Sequence, residues 1–413
     1  MFPAVSLVLL CALAVVANPI TVNNSPISIP IVKRLNLTGE STIAALDRAR
    51  VRSMRSGTFA RPTGAKAAAS VFNFPVINEV FGYIATVGVG TPPTDYSLII
   101  DTGSSNTWVG ASQAFQETNS SVDTGQTVSV FYGSGFFLGE QFTDTVTIGS
   151  LVIPNQGIGV AIISEGFSGA DGILGIGPVD LTEETLFPND TTTVPTVTDN
   201  AFSQGLISAH EVGISFEPTS TTDPFTNGEL TFGGIDSRKF TGPITFVPIT
   251  TTSPASEFVG INQSITYGTA GASILNSTAG VIDTGTTLLL IATDAMDRYV
   301  DAVGASSEPD EATGLFTIPA ENFANLESLF FNIGGTSFEF TPNAQIWPRV
   351  FNTLLGGNND TIYLVTGDIG SDTGSGLDFI NGMVWLQRFY FVYDTGSSQA
   401  GFATTYFTDT TTN

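Results

Sequence analysis

The stretch Ser97-Leu98-Ile99-Ile100-Asp101-Thr102-Gly103-Ser104-Ser105 returns in altered form as Ala279-Gly280-Val281-Ile282-Asp283-Thr284-Gly285-Thr286-Thr287. Each copy is an apolar run that ends on an aspartate, followed by Thr-Gly and two hydroxyl side chains. Each copy is also followed by a later apolar segment ending in glycine, at residues 172–175 and 379–382. Such runs are typical of buried strands that end in tight turns. The repeat therefore predicts two related lobes with an active site in the cleft between them.

Composition favours an all-β fold around a large core. The chain has 413 residues, of which 42% are hydrophobic, with 44 glycines and 31 phenylalanines. Aromatic and β-branched residues favour strands, and frequent glycine favours turns. We predict strands at residues 83–90, 96–101, 126–132, 136–142 and 144–148, and short helices at 198–206, 293–303 and 321–330.

The first 66 residues differ from the rest of the chain. Residues 1–17 contain an uncharged apolar run that predicts a secretory signal peptide; a membrane anchor is the alternative, but the run is short for a bilayer span. Residues 18–66 are basic and interrupted by proline, which predicts a removable pro-segment, with a disordered linker as the alternative. We expect an N-terminal β lobe over 67–243 and a C-terminal β lobe over 244–413.

Charge separates the pro-segment from the body of the protein. Residues 18–66 carry eight basic and two acidic side chains, a net charge of +6, whereas the residues from 67 onward carry five basic and 36 acidic ones, a net charge of −31. So acidic a body makes nucleic acid an improbable partner and favours an acidic working pH. We expect the pro-segment to lie across the cleft as an intramolecular inhibitor, with Lys33 or Arg34 paired to the catalytic carboxylates.

That pairing would make the pro-segment sensitive to pH. Carboxylates beside its cations should have lowered pKa values, so that acid weakens docking and the cleft then cuts the chain near residues 66–71.

The remaining sequence signals indicate a secreted protein. The one cysteine, Cys11, lies in the signal peptide, so the mature chain is predicted to have no disulfide. No second run of spanning length follows and no hydrophobic tail ends the chain, so we expect an extracellular glycoprotein without membrane attachment. Its Asn-x-Ser/Thr sequons, some of them accidental, are at Asn23, Asn36, Asn119, Asn189, Asn262, Asn276 and Asn359.

Several classes of chemistry are disfavoured by the residues available. The single histidine, His210, lies in an apparent surface turn, and no Gly-x-Ser-x-Gly elbow accompanies it, so a serine triad is improbable. No histidine pair or cysteine cluster offers a zinc site. A calcium site made of carboxylates stays open, although no acidic loop matches one. We expect no cofactor and no metal.

Paired carboxylates are the remaining candidates for the catalytic groups. Two carboxyl groups about 3 Å apart share one proton, so one can activate a water while the other protonates a peptide carbonyl (pepsin is a standard example of this effect). Asp-Thr-Gly occurs five times, but only Asp101 and Asp283 follow apolar strands at a spacing of one per lobe. Asp123 and Asp372 are predicted to lie in polar turns, and Asp394 in a hairpin turn near the C-terminus.

Taken together, these motifs resemble the pepsin-like aspartic peptidases, and in particular the fungal polyporopepsin-type enzymes. The resemblance covers roughly residues 76–405. It rests on Asp101 to Val109, Val281 to Leu289, the flap-like Tyr132-Gly133-Ser134-Gly135, Asp171 to Gly177, Gly228 to Gly234 and the closing residues 393–403.

The resemblance implies a bilobal all-β aspartic endopeptidase and gives a role to each matching residue. Asp101 and Asp283 would be catalytic. Thr102, Ser104 and Thr284 would support the two loops, and the substrate-binding and flap set would be Gly103, Gly285, Thr286, Trp108, Tyr132, Gly133, Ser134 and Ile173. Tyr132 would close over the substrate and bond the indole of Trp108.

The resemblance also implies partners. They are protein and peptide substrates bound in an extended conformation, with large apolar residues on both sides of the cut bond, and inhibitors of the pepstatin type. A monomer is expected.

Three features depart from the family pattern. The family usually carries disulfides, which the predicted mature chain cannot form. Tyr132 follows Asp101 after a shortened interval, and Asn381 stands where the family favours leucine. Two rival interpretations are an inactive two-lobed binding protein and a structural β-rich cell-surface protein. Both are disfavoured because each requires the two matched carboxylate loops to have no catalytic purpose.

Overall fold

The computed structural model describes residues 25–37, 42–57, 79–221 and 226–412. The predicted signal peptide and the predicted cleavage region near residues 66–71 lie outside the described residues.

Strands dominate the described part of the chain. In chain order they are β1 Ile27–Leu37, β2 Glu79–Val89, β3 Thr94–Asp101, β4 Trp108–Val109, β5 Val122–Phe131, β6 Phe136–Ile148, β7 Leu151–Glu165, β8 Gly172–Gly175, β9 Leu186–Phe187, β10 Glu211–Phe216, β11 Thr226–Phe232, β12 Thr241–Pro248, β13 Gly260–Tyr267, β14 Ala272–Ile282, β15 Leu289–Ile291, β16 Leu329–Ile333, β17 Thr336–Phe340, β18 Thr366–Asp368, β19 Phe379–Asn381, β20 Phe389–Asp394 and β21 Gln399–Thr404. The α-helices are α1 Ile43–Ser56, α2 Val197–Ser203, α3 Thr293–Val303, α4 Ala320–Phe323 and α5 Met383–Leu386, and short 3₁₀ helices span Val179–Thr182, Ala255–Glu257 and Arg349–Leu355. The all-β prediction is confirmed.

The strands form two sheets. The first has the order β12-β21-β20-β10-β11-β1-β2-β3-β8-β4-β7-β6-β5-β9, and the second the order β17-β16-β13-β14-β19-β15-β18. Strands from the C-terminal part of the chain, β20 and β21, join the first sheet through β10. The predicted boundary between residues 243 and 244 falls within β12, which pairs with β21.

The repeat seen in the sequence is built as two matching strand pairs. In the first sheet β3 runs parallel to β8, with Ile100 opposite Leu174. In the second sheet β14 runs parallel to β19, with Ile282 opposite Asn381. In each pair one aspartate lies at the end of a buried strand: Asp101 ends β3, and Asp283 directly follows β14. The two aspartates therefore occupy equivalent places, one on each sheet.

The predicted pro-segment, residues 18–66, contributes strand β1 to the first sheet. Strand β1 lies between β11 and β2 and pairs with both in antiparallel register. Ile27, Ile29 and Ile31 alternate into the core and are buried, with exposed residues between them. This period-two burial gives the segment an apolar contribution to docking as well as a charged one.

Two predicted elements differ from the structure. The predicted strands 136–142 and 144–148 form one continuous strand, β6. The predicted helix 321–330 is wrong beyond Phe323, because Leu329, Phe331 and Ile333 alternate into the core as strand β16. Pairing of β16 with β13 and β17 on its two sides outweighs the local helix preference.

None of the helices in the described part of the chain combines the length and the apolar character that a membrane crossing requires.

Candidate active site

Two threonines tie the aspartate loops together. The backbone N–H of Thr102 donates to Thr284 Oγ1 at 2.9 Å, and the N–H of Thr284 donates to Thr102 Oγ1 at 3.1 Å. Each hydroxyl then donates onward across the lobes, Thr102 to the carbonyl of Ile282 and Thr284 to that of Ile100. Both side chains are buried. This symmetric set of bonds holds the two loops in one fixed relation.

The carboxylates of Asp101 and Asp283 are held in matching ways. Oδ1 of Asp101 accepts the N–H of Gly103 at 2.9 Å, and Oδ2 accepts the hydroxyl of Ser104 at 2.5 Å. Oδ1 of Asp283 accepts the N–H of Gly285 at 3.0 Å, and its Oδ2 accepts the Thr286 hydroxyl at 2.5 Å. Each carboxylate therefore has one oxygen fixed by a glycine amide and the other by a hydroxyl.

Glycine is needed in both loops because each faces the opposite carboxylate. A Cβ atom on Gly103 would lie 2.6 Å from Asp283 Oδ1, and one on Gly285 would lie 2.6 Å from Asp101 Oδ1. A side chain at either position would push the two carboxylates apart. Their close approach thus depends on the absence of a side chain.

Arg50, from the predicted pro-segment, bonds to both carboxylates. Its Nη2 donates to Asp101 Oδ1 at 2.5 Å and to Asp283 Oδ1 at 3.0 Å, and its Nε donates to Asp283 Oδ2 at 2.6 Å. One nitrogen therefore reaches both Oδ1 atoms, which places the two carboxylates within reach of a single small group. The Arg50 side chain is 7% exposed, and its guanidinium fills the space between the two carboxylates.

The expectation that Lys33 or Arg34 pairs with the aspartates is wrong. Arg34 lies in β1 opposite Gly82. The ammonium of Lys33 lies 5.8 and 5.2 Å from the ring centres of Trp347 and Phe351. Burial lowers the pKa of Lys33 to about 7. The cation that meets the aspartates comes instead from helix α1.

Helix α1 has clear start and stop signals. The side chain of Thr42 accepts the N–H of Ala45 at 3.2 Å, which caps the first turn. Gly57 ends the helix with a φ of 63°, a left-handed conformation that suits glycine. Asp47, Arg50 and Met54, at helical spacings of three and four, are all buried on the face toward the cleft.

Contacts along α1 join it to both lobes and to the flap. Asp47 accepts the N–H of Thr287 at 3.1 Å and that of Leu288 at 2.8 Å. Ser53 Oγ donates to the carbonyl of Phe131 at 3.3 Å, beside the flap. Arg55 Nη2 donates to the carbonyl of Leu377 at 2.8 Å. The helix thus spans the site from the floor of the second lobe to the β5–β6 hairpin.

The flap is the β5–β6 hairpin, with Tyr132, Gly133 and Ser134 at its tip. The N–H of Tyr132 donates to the carbonyl of Gly135 at 2.7 Å, and Gly133 has a φ of 77°. A Cβ on Gly133 would collide with the carbonyl of Ala49 in α1. The flap tip therefore lies directly on the pro-segment helix.

The structure brings Tyr132 and Trp108 together. Trp108 Nε1 donates to the Tyr132 hydroxyl at 2.9 Å, and both side chains are buried. Phe167 meets both rings edge-on, and Phe137 stacks on Trp108 with ring centres 4.4 Å apart. Ile173 pairs with Trp108 through β8 and β4 and is also buried. These rings form a rigid apolar wall beside Asp101.

Burial and the Arg50 charge together shift the pKa values of the two aspartates in opposite directions. Burial raises the pKa of Asp101 above its ordinary value, outweighing the charge of Arg50. Burial also acts to raise the pKa of Asp283, but the charge and hydrogen bond of Arg50, with the bonds from Thr286 and Gly285, hold it below its ordinary value. The carboxyl of Asp283 is therefore the more acidic of the two.

The expectation that carboxylates stabilised by the cations of the segment have lowered pKa values agrees with the direction at Asp283 and is wrong for Asp101. Asp47 belongs to the segment itself, and burial raises its pKa to about 7 despite the two backbone N–H donors. Desolvation outweighs hydrogen bonding at Asp101 and Asp47 because the helix seals them from water.

The other candidate residues lie outside this constellation. Asp394 ends β20 and accepts the N–H of Ser397, which confirms the hairpin turn. Asp372 lies in an exposed loop. Asp123 is within β5, at an irregularity of its pairing with β6, and not in a loop between strands. His210 Nε2 lies 2.7 Å from Asp199 Oδ1, and its ring stacks on Phe202.

The described residues contain no group of three or more His, Cys, Asp or Glu side chains arranged to hold a metal ion.

Comparison with known proteins identifies the family. The model of the eukaryotic aspartyl protease family matches residues 82–405. The chain belongs to the eukaryotic aspartyl protease family. It is an aspartic endopeptidase of the pepsin type, and it hydrolyses peptide bonds.

Relatives of this aspartyl protease include fungal and animal enzymes. It is 58% identical to polyporopepsin of Irpex lacteus over 339 residues, 82% of this chain and 98% of the relative. It is 31% identical to human gastricsin over 340 residues, 78% of this chain and 81% of the relative. The crystal structure of the aspartic proteinase from Irpex lacteus matches with a TM-score of 0.78 and covers 80% of this chain and 96% of that one. The bilobal fold and the family resemblance are thereby confirmed.

Proposed function

We propose that Asp101 and Asp283 hydrolyse internal peptide bonds at acid pH by activating one water between them. The observation that carries this proposal is the contact of a single Arg50 nitrogen with Oδ1 of both carboxylates. A water in that place would touch the same two oxygens. The ionised carboxylate takes a proton from the water as it attacks the peptide carbon, and the protonated carboxyl gives its proton to the carbonyl oxygen.

The rest of the site would bind the peptide. Gly103 and Gly285 leave room for an extended backbone beside the carboxylates, and Tyr132 on the flap would close over it. The buried aromatic wall at Trp108 favours large apolar side chains at the cut bond. We propose that pepstatin-type inhibitors occupy the same cleft, that the enzyme acts as a monomer and that it needs no cofactor.

The pro-segment would be an intramolecular inhibitor. Arg50 fills the space that the water needs, and α1 occupies the space beneath the flap that a substrate needs. Strand β1 anchors the segment through sheet pairing on both sides. The protein would therefore be made as a zymogen, with cleavage near residues 66–71 releasing the mature enzyme.

The stability of the docked pro-segment depends on pH through several titrating groups, whose contributions to the free energy of docking oppose one another. Asp283 has a lowered pKa when docked, so its contribution is present above the ordinary aspartate pKa and is lost as pH falls through the lowered value. Asp101 and Asp47 have raised pKa values, so their contributions are fully present below the ordinary value and are lost as pH rises, for Asp47 through about 7.

Lys33 contributes to the stability of docking in a different pH range. Its lowered pKa gives a contribution present above the ordinary lysine pKa and lost as pH falls through about 7. Release in acid must therefore rely on Asp283 and on discharge of the acidic body. We expect release only when the pH falls below the ordinary aspartate pKa, about 4.

We also propose that the enzyme is secreted and glycosylated. Residues 1–17 have the composition of a signal peptide. All five sequon asparagines whose burial the structure describes are exposed: Asn119, Asn189, Asn262, Asn276 and Asn359.

Digestion of a protein substrate tests the proposed activity. Acid-treated enzyme should digest haemoglobin or a milk protein at about pH 3–5, and a small excess of pepstatin should abolish the digestion. A binding protein or a structural protein would digest nothing. Digestion that pepstatin leaves unchanged would contradict the proposed site.

A further inference from the structure

Asn381, which departs from the family pattern, has a hydrogen-bond partner in the structure. Asn381 Nδ2 donates to Gln263 Oε1 at 2.8 Å, and Gln263 Nε2 donates to Asn381 Oδ1 at 3.0 Å. Both side chains are buried, at 0% and 1% exposure. The two amides thus form a closed, reciprocal pair between β19 and β13. Such a pair is directional, because each group offers one donor and one acceptor to the other.

The segment that carries Asn381 forms the floor of the Asp283 loop. The carbonyl of Asn381 accepts the N–H of Asp283 at 3.3 Å. Two residues on, the N–H of Met383 donates to the carbonyl of Thr286 at 2.8 Å, and the next N–H donates to that of Thr287 at 3.1 Å. Gly382 fits between them because a Cβ there would lie 2.6 Å from the Thr286 carbonyl. A shift of β19 would therefore move the Asp283 carboxylate.

The first lobe provides an internal comparison. Leu174 occupies the position equivalent to Asn381, opposite Ile100 as Asn381 is opposite Ile282. The side chain of Leu174 is fully buried in the apolar core and is held there by packing, without hydrogen bonds of its own. The two lobes thus support their aspartates differently. Only the Asp283 side depends on a pair of directional bonds that fails as a unit if either partner is removed.

We infer that the Gln263–Asn381 amide pair is a positioning element that sets the place of the Asp283 carboxylate relative to Asp101. This inference rests on the proposed function of Asp283. The two amides are buried and bond to each other, and the pair acts by fixing β19 beneath the loop. Misplacement of a reacting group by a fraction of an ångström to one ångström lowers turnover by up to about a hundredfold.

The first variant is Asn381→Leu, which gives the second lobe the residue of the first. We expect kcat for a peptide substrate to fall roughly ten- to a hundredfold per active site, with KM changed by less than about threefold. Pepstatin titration counts the intact sites, so loss of folded protein is separated from loss of turnover. A kcat per site within about twofold of wild type would overturn the inference.

The second variant, Asn381→Asp, keeps the test open even if leucine prevents folding. A protonated aspartic acid has one donor and one acceptor, like the amide, and burial raises its pKa. Turnover per site at about pH 3 should be within about threefold of wild type, and should fall at higher pH as the carboxyl ionises. Loss as severe as that of leucine at about pH 3, or a pH profile identical to wild type, would overturn the inference.

Two controls separate positioning from other causes. Asn200 Nδ2 donates to Gln156 Oε1 at 2.9 Å in the first lobe, away from the catalytic loops. Asn200→Leu should lower the melting temperature without changing kcat per site. Asp283→Asn tests the proposed function itself: if it stays active, the catalytic assignment fails, whatever Asn381 does.

Discussion

Asp101→Asn and Asp283→Asn should each fold normally and lose peptidase activity by several orders of magnitude. Neither remaining carboxyl can both accept the proton of the water and supply a proton to the carbonyl oxygen. General acid–base groups contribute roughly 10²–10⁴ each, so the loss should lie in or above that range. Initial rates on an apolar peptide at about pH 4, with circular dichroism to confirm folding, measure the effect.

The matched control for these variants is Asp394→Asn. Asp394 has the same Asp-Thr-Gly sequence but lies in the β20–β21 hairpin, where it accepts the N–H of Ser397 and the amide of Gln399. Its turnover should stay near wild type. Retention of more than about a tenth of the wild-type rate by either catalytic variant would contradict the assignment.

Arg50→Ala should open the precursor before it is cut. The substitution removes three hydrogen bonds from a buried cation to two buried carboxylates. Removing one partner of such a buried pair costs about 3–5 kcal/mol. The open fraction of the precursor should therefore rise by at least about a hundredfold. The uncut precursor should then hydrolyse a short apolar peptide at about pH 5, which is within the active range but above the pH of about 4 at which the wild-type segment is released.

Arg52→Ala is the control for this substitution. Arg52 is in the same helix but is exposed, so its removal changes the same charge without touching the carboxylates. Intact mass must show that the precursor is uncut during the assay. If the Arg50→Ala and Arg52→Ala precursors were equally inactive, Arg50 would not be the inhibitory group.

The fold and the aspartate pair could be predicted from sequence because they are repeated. Asp101 and Asp283 each follow a buried strand and precede Thr-Gly, and this local pattern leaves few alternatives. The flap tyrosine was found only through a family motif. Its bond to Trp108 joins residues 24 apart through a hairpin, which spacing alone does not reveal.

The structure of residues 42–57 is less evident from the sequence. The prolines around this segment favour irregular chain and obscure α1, although Thr42, the Ala- and Arg-rich run and Gly57 are ordinary helix signals. With the helix recognised, Arg50 would still have been one of four arginines within eight residues. The choice depends on which helix face meets the cleft, and that is set by tertiary contacts.

Asn381 shows a different limit on prediction from sequence. A buried asparagine in a strand predicts a partner, but the partner, Gln263, is 118 residues earlier. Only the pairing of β14 with β13 and β19 brings the two amides together.

The most direct test of the whole account is the intact mass of purified precursor over time after a step from about pH 7 to about pH 3.5. We predict no change at neutral pH. After the step we predict loss of about fifty residues, the length of 18–66, in the wild type and no loss in Asp101→Asn without added protease. A precursor fully active in acid with its segment uncut, or an Asp101→Asn precursor cut at the wild-type rate, would contradict the account.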